Sequence, residues 1–227
     1  MTVSSGLGGE SMSFLGSELE LSMEQLQRAG AASIVRSLIN YSSEGHGLPG
    51  IELFAGSAGW VTETIMAGCE PLSLVEYSSD KCSLLESKFP GSDVVCCDVI
   101  ADFPKVAARV ASSSVISMDN PSAIFGTEGQ YCEHFDVLPL VLNVDSTLQR
   151  VVVLNLNIRP FGMSKISGWS ERRDEFYGST NDWGLTEYID FYRCLCQNFG
   201  WHVREISSIP RRGTFLQFLV LFLERTS

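Results

Sequence analysis

From about residue 51 onward the chain alternates short apolar runs with amphipathic stretches. Ile51–Phe54, Pro71–Val75, Asp93–Cys97, Val115–Met118 and Val151–Leu156 are strand-length and rich in apolar or β-branched residues. The most continuous of them, Val151–Leu156, suits a strand buried on both faces. Between these runs, Gly59–Ala67, Ser79–Lys88, Phe103–Ala111 and Glu133–Leu148 are expected as helices. In the last of them Val137, Leu138, Val141 and Leu142 supply the apolar positions. Leu185–Asn198 is also expected as a helix, with Ile189, Tyr192 and Leu195 on one side. His202–Ile206 and Phe215–Leu223 are expected as strands joined by a Pro210-Arg211-Arg212-Gly213 turn. Ile158–Trp183 shows no sustained period and reads as irregular.

Strands separated by helices imply parallel crossovers and a doubly wound α/β sheet. The last two strands have no helix between them, which predicts an antiparallel ending with one strand inserted beside its neighbour. Upstream, residues 1–17 are rich in Ser and Gly and read as a flexible N-terminal segment. From Glu18 to about Asn40 the pattern turns helical, with Leu19, Met23, Leu26, Ala29, Ile34, Leu38 and Ile39 on a shared face. Ser42–Gly50 is a glycine- and proline-marked loop, and residues 18–227 are expected to form a single domain.

Composition narrows the class. The chain is 44% hydrophobic and 19% charged, as expected of a globular protein, and no uninterrupted apolar run reaches membrane-spanning length. Met1–Ser5 lacks the basic start and apolar core of a secretory signal. The seven cysteines form no CxxC pair, and the three histidines add little, so no metal site is expected. Reduced, partly buried thiols in a cytoplasmic protein are the simplest account. A formal net charge of −11 argues against tight independent binding of nucleic acid, while leaving room for a local basic patch.

The chemistry gathers at strand ends. The first strand runs through Ile51-Glu52-Leu53-Phe54 into the small-residue turn Ala55-Gly56-Ser57-Ala58-Gly59 and then into a helix. Such a turn lets backbone approach a ligand closely. The second strand ends at Glu76, followed by Tyr77, where nucleotide-binding α/β folds place a ribose-binding carboxylate. The third ends at Asp98-Val99 and the fourth at Asp119-Asn120-Pro121-Ser122. Four strands thus deliver polar groups to one rim, where such sheets bind ligands.

This order and spacing resembles the class I S-adenosylmethionine-dependent methyltransferases. The resemblance implies a Rossmann-like, seven-stranded, mostly parallel sheet with helices on both faces and an antiparallel final strand. It implies that Glu52, Phe54, Ala55, Gly56, Ser57 and Gly59 form the glycine-rich cofactor motif. Glu76 would then hold the ribose of the cofactor and Asp98 sit by the adenine amino group, with Tyr77 and Val99 next to them as further cofactor-binding residues. Asp119, Asn120 and Pro121 fall where the family carries its catalytic motif. The match is incomplete: the middle glycine of the first motif is replaced by Ser57 or Ala58, and the fourth motif lacks the second proline and adjacent aromatic of amine-methylating members.

That fourth motif works by position. A side-chain oxygen and a backbone carbonyl accept the two N–H bonds of an amine and aim its lone pair, while a ring stacks on the base. Asp119 or Asn120 can supply the oxygen, and Phe125 or Tyr131 the ring. Pro121 is followed by Ser122 rather than cysteine, which argues against cytosine-C5 chemistry. Asn155-Leu156-Asn157-Ile158-Arg159 carries no lysine for ribose 2′-O methylation. The favoured expectation is methyl transfer to an amino nitrogen of a nucleic-acid base. The alternatives are a catalytically degenerate scaffold of the same fold, or a small-molecule or protein methyltransferase.

Trp169, Arg172, Arg173, Phe176, Tyr177 and Trp183 interleave bases with aromatics, so Arg172 and Arg173 are candidate contacts to a nucleic-acid substrate. The competing reading is a lid packed on its own aromatics. His134 is expected as a surface or capping histidine, and Cys194 and Cys196 as core fillers.

Overall fold

Strict two-residue alternation in the last strands divides the core in two. In β7 (Arg150–Asn157), Val152, Leu154 and Leu156 enter one apolar layer, while Val151 and Val153 enter the other. In β9 (Leu216–Arg225), Leu219, Leu221 and Leu223 oppose Phe218, Val220 and Phe222 in the same way. A strand apolar on both faces needs cover on both, and the helices provide it.

The computed structural model describes residues 47–57, 60–119, 131–147, 149–158, 168–178, 183–210 and 216–226, together with Ile39 and the pair 124–125. The N-terminal segment 1–17 and nearly all of the helix expected over 18–40 lie outside the described residues; Ile39 is helical and buried. The turn at Arg211-Arg212 also lies outside them.

Parallel strands β1 (Gly50–Glu52), β2 (Leu72–Glu76), β3 (Asp93–Cys96) and β4 (Val115–Met118) alternate with helices α1 (Trp60–Thr64), α2 (Ser79–Lys88) and α3 (Pro104–Ser112). A two-residue hairpin, β5 (Ile124–Phe125) with β6 (Tyr131–Cys132), and helix α4 (Val137–Asn143) lead into β7. Helices α5 (Trp169–Tyr177) and α6 (Leu185–Asn198) follow, then β8 (Trp201–Pro210) and β9. The main sheet has seven strands in the order β3-β2-β1-β4-β7-β9-β8, with β9 antiparallel to both neighbours. The inserted antiparallel ending is as expected.

Three expectations need correction. Residues 158–183 are not irregular throughout, because α5 lies within them. The interval holds a nine-residue helix whose buried side chains are Trp169, Arg173 and Tyr177, a mixed set that hides the apolar period. The helix expected over 133–148 spans only Val137–Asn143. Glu133 has φ +49°, a left-handed turn that delays its start, and extended Val144 ends it. The final strands outrun the expected His202–Ile206 and Phe215–Leu223, because ladder pairing continues beyond the apolar stretch.

A buried arginine closes the amino edge of the sheet. Arg150 donates to the carbonyls of Val141 (2.9 Å) and Val110 (3.3 Å), near the carboxyl ends of α4 and α3, and stacks 4.7 Å from the Trp201 ring. A cation suits those helix ends, where the dipole is negative. Burial, with Arg225 nearby, lowers its pKa to about 10, so it keeps its charge at neutral pH.

Leu154 is fully buried at the centre of the sheet. Leu154→Ala is expected to cost roughly 2–5 kcal/mol. Urea denaturation followed by circular dichroism should show a lower midpoint with an unchanged slope.

Candidate functional site

Four neighbouring strands end side by side on the carboxyl edge of the sheet. In the order β3, β2, β1, β4 they bring Asp98, Glu76, Glu52 and Asp119 to one rim, spread over roughly 14 Å at the usual strand spacing. Backbone bonds tie these ends together beyond the ladder itself: Leu53 donates to Ser117 (3.0 Å) and Ala55 to Val75 (3.0 Å).

The turn after β1 passes through Gly56, at φ +60°. No atom lies within 4 Å of where a Cβ would stand, so glycine is favoured here by the left-handed backbone rather than by lack of room. The Gly56 amide donates to Glu76 Oε2 at 3.0 Å, while the Ser78 amide donates to Glu76 Oε1, also at 3.0 Å. Glu76 is buried, and Lys81 Nζ lies 3.8 Å from it. A carboxylate has about four acceptor directions, so two remain for a ligand's hydroxyls. Tyr77 beside it is 72% exposed, an open ring at the same corner.

Asp98 shapes its own turn. Its Oδ1 accepts the amides of Ile100 (2.9 Å) and Ala101 (3.1 Å), and Val99 behind it is buried in the core. Phe54 packs against that core from a half-buried position, Ala55 is buried and Ser57 is exposed. Gly59, Asn120 and Pro121 lie outside the described residues. Phe125 and Tyr131 are described only as backbone, where they pair across the β5–β6 hairpin.

Glu52 is the unusual member. It is 2% exposed, and its Oε2 finds no hydrogen-bond partner among the described residues. Burial pushes its pKa from 4.5 up to about 8; the Thr62 hydroxyl opposes this and the Asp119 carboxylate adds to it. Glu52 is therefore largely neutral at pH 7 in the free protein, and a cation placed beside it would favour its ionised form. Asp119 accepts a hydrogen bond from the Asn155 side chain, which β7 brings alongside β4. Asn155, a buried polar residue after the apolar run Val151–Leu154, is the sequence signal for this support.

The two arginines expected to meet a substrate are committed elsewhere. Arg173 is 1% exposed, its guanidinium lying 4.9–5.3 Å from the rings of Tyr177, Tyr188 and Trp169. Arg172 is held by Asp136 and by Glu175, the latter at 2.9 Å. The packed reading of this segment is the one the geometry supports. His134 is likewise not at the surface: its Nε2 lies 2.5 Å from the Tyr192 hydroxyl, which lies 2.6 Å from that of Tyr177. Burial, reinforced by Arg173, lowers the His134 pKa to about 3 and keeps it neutral. Trp169 Nε1 donates to Glu133 Oε1 at 2.8 Å, joining α5 to the segment that follows β6. Nothing in the hydropathy pattern announced this polar network inside an aromatic core. Of the two cysteines on α6, Cys196 is core and Cys194 is exposed.

No family model matches the sequence, and neither does any curated protein. Solved structures share the fold at low identity. The methyltransferase domain of bacterial CtHen1-C aligns over 86% of this chain and 98% of its own, with a TM-score of 0.52 and 11% identity. The Burkholderia thailandensis 1,6-didemethyltoxoflavin-N1-methyltransferase, solved with 1,6-didemethyltoxoflavin and S-adenosylhomocysteine, aligns over 88% and 80%, with a TM-score of 0.50 and 10% identity. The fold is therefore the Rossmann-like, seven-stranded architecture found in these methyltransferases.

The raised pKa of Glu52 makes a signed prediction for the cofactor-free protein. The folded state holds a proton that the unfolded state releases between about pH 4.5 and 8. The stability linked to that proton is complete below the unfolded pKa and is lost as pH rises through the folded one. Thermal melts from pH 5 to 9 should therefore show the wild type losing stability relative to Glu52→Gln. A constant difference between the two would mean that Glu52 is not held neutral.

Proposed function

We propose that this chain is an S-adenosylmethionine-dependent methyltransferase acting on a nitrogen, with the amino group of a nucleic-acid base as the favoured acceptor. One observation carries the cofactor assignment: the buried Glu76 carboxylate is fixed by the Gly56 and Ser78 amides, with acceptor capacity to spare, at the corner where exposed Tyr77 stands. In this reading Glu76 takes the ribose hydroxyls and Tyr77 lies by the adenine. Asp98 holds the turn beneath it, and the Gly56 turn faces the methionine portion. Glu52, poised between charge states, answers the positive charge of that portion.

S-adenosylmethionine supplies a methyl group already activated on a sulfonium, so the protein's share of the work is placement. Asp119, held by Asn155, accepts an N–H of the acceptor and aims its lone pair. Asn120-Pro121 is proposed to add a backbone carbonyl, and Phe125 or Tyr131 a stacking ring.

The polymer assignment has lost one support, because Arg172 and Arg173 are engaged within the protein. With a net charge of −11, this favours a small nitrogen heterocycle as the second reading. A fold neighbour named as an N1-methyltransferase points the same way.

The test is incubation with radiolabelled cofactor against RNA, DNA, protein and small heterocycle pools, followed by nuclease digestion. Label on a base nitrogen is expected. Asp119→Ala should lower transfer about a hundredfold, while Asn155→Ala should give a smaller loss through misplacement of Asp119. Label on protein would overturn the acceptor assignment. Cofactor binding with no transfer to any pool would leave a scaffold of the same fold.

A further inference from the structure

Two cysteines converge on the Glu76–Tyr77 corner. Cys96 ends β3 in register with Glu76, and the first turns of α2 bring Cys82 back over the same strand end. Cys82 Sγ lies 3.3 Å from the carbonyl oxygen of Glu76, and Cys96 Sγ lies 3.9 Å from that of Tyr77. The two thiols thus donate to successive carbonyls of one turn. Both sulfurs are thereby anchored to the Glu76–Tyr77 turn, one from α2 and one from β3. Their access differs: Cys82 is buried and Cys96 is exposed. Cys97, the next residue in the chain, is buried in the core layer with Val99 and Val106.

We propose that Cys82 and Cys96 are a peroxide-responsive pair that closes into a reversible disulfide. The inference is independent of methyl transfer. Exposed Cys96 reacts first: its thiolate sulfur attacks one oxygen of a hydroperoxide, the O–O bond breaks, and water or an alcohol leaves. Cys96 is then a sulfenic acid. The Cys82 sulfur attacks the Cys96 sulfur, the S–O bond breaks, and the departing hydroxide takes the Cys82 proton to leave as water. Two thiols lose two electrons and one hydroperoxide is reduced.

The environment divides the roles. Burial, together with the neighbouring Cys96, pushes the Cys82 thiol up to about 12, so it stays protonated until its neighbour is oxidised. It is the resolving thiol, not the first to react. Closure would remove both S–H donors from the carbonyls of Glu76 and Tyr77 and tie α2 to the end of β3. In a reducing compartment such a bond is transient, as expected of a redox-sensing disulfide.

The test uses the full chain, treated with one equivalent of hydrogen peroxide, alkylated and mapped by peptide mass spectrometry. The expected product joins the Cys82 and Cys96 peptides with the loss of two hydrogen atoms and reverts with dithiothreitol. In Cys82→Ser, Cys96 should stop at the sulfenic acid and be captured by dimedone. In Cys96→Ser, a change at an exposed position, Cys82 should remain an unmodified thiol. Free Cys82 and Cys96 after peroxide treatment of the wild type would overturn the proposal. So would a Cys96–Cys97 or interchain bond formed in place of the Cys82–Cys96 bond.

Discussion

The Glu76 carboxylate joins the ends of two strands and starts a helix. One oxygen holds the left-handed Gly56 turn after β1, and the other holds Ser78 at the entrance to α2. A buried carboxylate is costly unless hydrogen-bonded, and here backbone amides meet that need. The same bonds fix where its remaining lone pairs point. The corner is thus built before any ligand arrives, which is what allows a binding group to act without reorganisation. Around it, the strand order places Glu52 and Asp119 on one side and Asp98 on the other.

The fold was legible because its signals repeat. Each buried strand announced itself as a short apolar run, and Ser79–Lys88, Val115–Met118 and Leu185–Asn198 begin and end where expected. The acids at the strand ends were equally visible, since their spacing follows the βα alternation. Legibility failed where polar groups sit inside. The α5 helix buries an arginine with its aromatics, so a basic-aromatic pattern resembled a binding surface while serving as core. His134 looked peripheral because its partner Tyr192, itself bonded to Tyr177, is far along the chain. Arg150 gave no local sign of reaching two helix ends.

Rings and buried polar groups bind the segment after β6 into the core. Trp169 reaches Glu133, Tyr192 reaches His134 and Arg172 reaches Asp136, so the segment after β6 is bound to α5 and α6 at three points. The fourth motif lies between β4 and that segment. Asp119, the described member of that motif, is held from β7 by Asn155. The strand-end rim depends on carboxylates and backbone, the segment after β6 on rings and buried hydrogen bonds.

The most direct measurement is a calorimetric titration of S-adenosylhomocysteine into the wild type and Glu76→Ala, with each protein first shown to be folded. The account predicts one site on the wild type with micromolar affinity, and a loss of at least about tenfold when the Glu76 carboxylate is removed, in line with charge-assisted hydrogen bonds worth roughly 1.5–3 kcal/mol each. No binding to the wild type, or equal binding to both proteins, would contradict it.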